Sequence, residues 1–192
     1  MKHTVVALVE DRPGVLNRVA SLFRRRGFNI DSLAVGTTEQ RGISRMTIVL
    51  DGADGIVEQV EKQLYKLIDV VKVSDLTKEE AVIRELALIK VRCTPEQRRE
   101  ILDLVDIFRA QAVDVSPTSL MLQITAATET LDAFVENLRP YGIREMVRTG
   151  RIAMTRGAKA TAVHEREAAP VERFHQQSGR RPEEDVLPYV SK

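Results

Sequence analysis

Little in this chain points to catalysis. It has one cysteine, Cys93, and no tryptophan, and aromatic residues make up only 4%. A lone cysteine excludes an intrachain disulfide and favours a reducing, cytoplasmic setting. It ends a strand-like run and reads as a small buried hydrophobe. Scarce rings mean that the core must be built from Val, Ile and Leu. The three histidines, His3, His164 and His175, are scattered and read as incidental surface residues. No CxxC or HExxH spacing occurs, so no metal site is expected. Asp51-Gly52-Ala53-Asp54-Gly55 has the look of a calcium loop but lacks its Asp/Asn alternation and closing Glu. It reads as a turn and a helix cap. No apolar run approaches the roughly 20 residues that cross a bilayer. The opening Met1-Lys2-His3-Thr4-Val5 lacks the apolar region and cleavage site of a signal peptide. A net charge of +1 gives no general drive toward nucleic acid or an anionic membrane.

What is present is patterned. With 43% hydrophobic and 30% charged residues, the chain can bury a core. Thr4 to Val9 is a β-branched run that reads as a central strand. Asp11 offers a helix N-cap, with Pro13 in the first turn. Val15, Leu16, Val19, Leu22 and Phe23 follow helical spacing. Arg24-Arg25-Arg26 suits a last helical turn, and Gly27 a stop. Strands follow at Ile30 to Gly36 and Ser44 to Leu50, a helix over Ile56 to Leu67, and a strand from Asp69 to Leu76. The order is βαββαβ, a ferredoxin-like plan in the α+β class, over residues 1–76.

Residues 77–84 are charged and read as a linker. The pattern then recurs over residues 85–156. Glu85 to Cys93 is strand-like. Thr94-Pro95-Glu96-Gln97 has the form of a capping box before the stripe Ile101, Leu102, Val105 and Phe108. Strands at Ala112 to Val115 and Leu120 to Thr125 flank a Ser116-Pro117 turn. Leu131, Phe134, Val135 and Leu138 mark another helix, and Ile143 to Val147 and Ile152 to Met154 close the unit. Residues 157–192 are rich in Arg, Glu, Ala and Pro and are expected to form a mobile tail, helical around His164 to Arg173.

One segment carries chemistry. Glu10-Asp11-Arg12-Pro13-Gly14-Val15-Leu16 joins a buried strand to a helix start. Gly14 lets a ligand approach the backbone, first-turn amides favour a carboxylate, and Asp11 can hold an ammonium group. A free amino acid has both groups. From the residues alone, a plain helix cap with close packing accounts for the segment slightly better.

The pattern D-x-P-G-x-L between first strand and first helix resembles the ligand signature of ACT domains. The wider match lies in Arg24 to Leu33, Ser44 to Ile48, Glu61 to Val70, Glu85 to Val91, Ile107 to Gln111 and Asp114-Val115. There the chain resembles the regulatory small subunit of acetolactate synthase (acetohydroxyacid synthase), over about residues 2–157. The resemblance implies a non-catalytic subunit of branched-chain amino acid biosynthesis. It implies a large catalytic partner using thiamine diphosphate, Mg²⁺ and FAD, which this chain activates and makes sensitive to feedback inhibition by valine. It also implies effector sites between paired ACT domains, at Asp11, Pro13, Gly14, Val15, Leu16, Asn29, Ile30 and Leu33. The family often has Asn where this chain has Asp11. A helix of about 13 residues is roughly 20 Å long, so the Asp11 turn and Asn29 fall at opposite ends of one domain. Two edge strands paired about a two-fold axis would bring each Asn29 to the other chain's turn.

Other readings compete. One is an ACT-type sensor for a different enzyme. Another is a small ferredoxin-like enzyme, which lacks a convergent acid, base or nucleophile set. A third is a nucleic-acid-binding regulator. The third strand, Met46-Thr47-Ile48-Val49-Leu50, has no ring for stacking on RNA. The triple arginine reads first as dipole-complementing residues on a solvated face.

Overall fold

A computed structural model describes residues 1–53 and 55–158. The predicted tail, apart from Gly157 and Ala158, lies outside the described residues, as does Asp54.

The first unit runs β1 (Lys2–Glu10), α1 (Val15–Arg26), β2 (Ile30–Thr37), β3 (Ile43–Asp51), α2 (Ile56–Leu64) and β4 (Val70–Asp75). Its antiparallel sheet has the order β2-β3-β1-β4, so β2 and β4 are edges. Side chains alternate between the faces of a strand. Val5, Ala7 and Val9 of β1 and Met46, Ile48 and Leu50 of β3 therefore share the helix side. There Val15, Val19, Leu22 and Phe23 of α1 close over them. Gly27 ends α1 in the left-handed region at φ 71°, and the three arginines fill its last turn, as expected.

The second unit repeats the plan: β5 (Ala81–Arg92), α3 (Arg98–Ile107), β6 (Gln111–Ser116), β7 (Ser119–Ala126), α4 (Thr128–Leu138) and β8 (Ile143–Arg148). The order β6-β7-β5-β8 reproduces that of the first sheet. The chain is thus α+β, two antiparallel sheets with interleaved helices. A ninth strand, β9 (Ile152–Thr155), stands outside the repeat and pairs with the start of β5. Its Ala153, with Ala81 and Ile83 of β5, packs on Val6 and Leu76 of the first unit.

Four expectations change. The run 77–84 is not all linker: Ala81–Arg84 pair residue by residue with Thr155–Ile152. Ala81, Val82 and Ile83 supply the alternation that the neighbouring charges mask. Leu102 is 37% exposed, and Leu104 packs on the second core in its place. His3 is no surface residue: only 4% of it is exposed, and its Nε2 lies 3.3 Å from the Gly52 carbonyl oxygen. Finally, no side chain caps α1, which the next subsection explains. Cys93 is buried.

Candidate functional site

The segment Arg12-Pro13-Gly14-Val15 is a type II turn. Gly14 sits at φ 87°, ψ −9°, and the Val15 amide donates to the Arg12 carbonyl at 3.4 Å. Pro favours the second position of such a turn, and the third requires positive φ, hence Gly. This displaces the predicted cap. Asp11 lies three residues ahead of the N-cap position, which Gly14 itself occupies without any side-chain cap bond. Pro13 lies in the turn, outside the helix. The Asp11 backbone is fixed instead: its amide donates to the Gly42 carbonyl at 2.8 Å. Its carboxylate is exposed and has no partner among the described residues. The Leu16 and Asn17 amides likewise find no acceptor there. The turn therefore presents free donors and a free acceptor group together, which suits a zwitterion.

Sequence reading missed the clamp behind this turn. Arg18 stands one helical turn after Gly14 and grips Asp69 in a bidentate pair, with Nε to Oδ2 at 2.7 Å and Nη2 to Oδ1 at 2.9 Å. The Asp69 side chain is 6% exposed and that of Arg18 49%. The Asp69 carbonyl also accepts the Glu10 amide at 2.9 Å. Asp69 thus ties the end of β1, the start of β4 and α1 together around the turn. Gly14 leaves Arg18 Nη1 3.7 Å from the place where a Cβ would stand. The one local cue is the spacing of Gly14 and Arg18; Asp69 is 51 residues further on.

The other named residues divide. Val15 is buried in the first core, and Leu16 is 46% exposed beside the turn. Ile30 and Leu33 are half-buried, packed on the same core along the β2 edge. Asn29 is exposed at the opposite end of the sheet. The pairing proves that separation. Glu10, next to the turn, lies opposite Ile43, whereas Ile30, next to Asn29, lies opposite Leu50. One chain brings Asp11 to Leu16 together and leaves Asn29 a helix length away.

A polar cleft runs between the two units, with Lys2, Asp31, Glu85, Asp132, Arg148 and Arg151 on its walls. Arg148 donates from Nε and Nη2 to buried Glu85 at 2.7 and 2.8 Å, and from Nη1 to Asp132 at 2.7 Å. The Glu85 hydrogen bonds hold the Arg148 guanidinium above its ordinary pKa against the opposing effect of burial. These charges neutralise one another, so the cleft reads as structural. No group of three or more His, Cys, Asp or Glu side chains among the described residues could hold a metal ion. No helix among them is long and apolar enough to cross a membrane.

Fold and site define a class: two βαββαβ units, the first with an ACT-type turn and no convergent catalytic set among the described residues. Residues 6–72 match a family described as the AHAS small subunit-like ACT domain, and residues 84–157 match the small subunit of acetolactate synthase. A probable acetolactate synthase small subunit of Archaeoglobus fulgidus is 57% identical over 83% of this chain and 99% of its own length. The acetolactate synthase small subunit of Mycolicibacterium smegmatis is 52% identical over 82% of this chain and 92% of its own. The crystal structure of the Thermotoga maritima acetolactate synthase small subunit matches with a TM-score of 0.77 at 45% identity, covering 83% of this chain and 99% of that one. This chain belongs to the acetolactate synthase small-subunit family, the regulatory subunits with an ACT domain.

Proposed function

We propose that this chain binds valine between the paired ACT domains of a homodimer and so governs the large catalytic subunit of acetolactate synthase. It raises that subunit's activity and makes it sensitive to feedback inhibition in branched-chain amino acid synthesis in the cytoplasm. Thiamine diphosphate, Mg²⁺ and FAD belong to the catalytic partner. This chain takes no part in the bond-making steps.

One observation supports the reading: the Asp11 turn and Asn29 lie at opposite ends of one domain, flanking the edge strand β2. A second copy added antiparallel along β2 sets its own Asn29 beside the Asp11 turn. The effector carboxylate then meets the Leu16 and Asn17 amides. Its ammonium meets Asp11 or the Asn29 oxygen across the interface, and its branched side chain packs on Ile30 and Leu33. Binding that favours one arrangement of the pair is felt by the catalytic subunit.

The test is an acetolactate synthase assay of the catalytic subunit with and without this chain, titrated with valine, leucine and isoleucine. Calorimetry with valine accompanies it. Wild type should bind; Gly14→Asp and Asn29→Ala should each lose most of the heat. Gly14→Asp also strains a positive-φ position, so exposed Asn29 is the cleaner probe. Unchanged affinity in Asn29→Ala would sink the shared site.

A further inference from the structure

The turn before α1 carries more than amides and the Asp11 carboxylate. In an α-helix a side chain leans back over the turn that precedes it. Arg18 therefore reaches toward Gly14, four positions earlier. Two of its three guanidinium nitrogens are spent on Asp69: Nε and Nη2 donate to that carboxylate at 2.7 and 2.9 Å. The third, Nη1, has no acceptor among the described residues. It lies 3.7 Å from where a Gly14 Cβ would stand, so the missing side chain leaves it open toward the turn. About half of the Arg18 side chain is exposed.

Charge sorts the ligands that such a turn accepts. Arg12 is paired with Glu10 at 3.1 Å and Arg18 with Asp69, while Asp11 has no partner among the described residues. Three carboxylates thus face two guanidiniums. A bare anion meets excess negative charge there, whereas a ligand that brings its own cation does not. The two ends of a zwitterion have separate places, the ammonium at Asp11 and the carboxylate on the Arg18 side.

We infer that Arg18 is a further effector-binding residue, whose Nη1 donates to the carboxylate of the bound amino acid while its other two nitrogens stay on Asp69. The inference deepens the effector site proposed above and rests on it. Arg18 does not let go of Asp69 to bind. The Asp69 side chain is 6% exposed, and release would strand a buried charge. The pair also fixes the guanidinium before a ligand arrives, so less side-chain freedom is lost on binding. Asp69 is then a positioning residue. Its carbonyl accepts the Glu10 amide at 2.9 Å, so a ligand gripped by Arg18 pulls on the junction of β1 and β4.

Calorimetry on the full chain tests this with valine and valinamide, which carries an uncharged amide in place of the carboxylate. The two are compared at about pH 6.5, where each keeps its ammonium proton. Wild type should prefer valine. Arg18→Gln should cut that preference about ten-fold or more, the worth of one charge-assisted hydrogen bond. Arg18→Lys keeps a cation on Asp69 but gives up the planar fork, and should lose most of the same preference. It decides the matter if thermal unfolding shows that Arg18→Gln does not fold. Asp69→Asn should weaken valine several-fold and valinamide less. An Arg18 that only supports the turn would act otherwise. Its variants would weaken or abolish both ligands alike, or would leave the preference for valine intact, and either result overturns the inference. The effector reading survives that result, because wild type still binds valine and Asn29→Ala still loses it. No heat from valine in wild type removes both.

Discussion

Gly14 shows how a residue can be conspicuous in a sequence while its backbone geometry stays hidden. Its lack of a side chain was visible, and so was its place at a helix start. Its role as the third residue of a type II turn was not, because Asp11 offered a plausible cap. The consequence is favourable for binding: a carboxylate that caps no helix stays free for a ligand. Arg148 and Glu85 were silent in the sequence because they meet across 63 positions. Glu85 is 6% exposed and depends on that arginine, itself 28% exposed. Arg148→Ala strands a buried carboxylate and should cost about 3 kcal/mol, the low end for a broken buried pair because the arginine is partly solvated. Urea unfolding would measure it.

Among the elements, local codes were read well and long-range pairing poorly. The stripe Leu131, Phe134, Val135 and Leu138 is buried throughout, because helical spacing alone selects the inner face of α4. The capping box before α3 is also present: the Thr94 amide meets Gln97 Oε1 at 3.3 Å, and the Gln97 amide meets Thr94 Oγ1 at 3.4 Å. The Arg98 amide closes the first helical bond on the Thr94 carbonyl at 3.1 Å. Thr94→Ala should therefore lower stability by about 1 kcal/mol in denaturant titration. The start of β5 was missed because its strand partner, β9, lies some seventy positions away. Periodicity over four residues beside a charged run cannot announce such a pairing. The candidate site divides the same way. Its turn is legible as a motif, its clamp Arg18–Asp69 is not, and helix length alone separates the turn from Asn29.

At the scale of the whole molecule, the two units share more than a connecting segment. Val6 and Leu76 of the first unit have their cover in Ala153, Ala81 and Ile83 of the second. A fragment of residues 1–76 would bare that face, whereas residues 1–158 keep it covered. The short fragment should bind a hydrophobic dye such as ANS and form aggregates larger than a dimer in light scattering, and the longer one should do neither. β5 is the reason. Its 12 residues form one unbroken strand, held at one end by β9 over the first sheet and further along by β7 and β8 in the second. At about 3.3 Å per residue it spans roughly 40 Å. A strand bonded in this way does not fold at its middle. It is a strut, and tilting the first sheet swings the far unit as a beam swings its load.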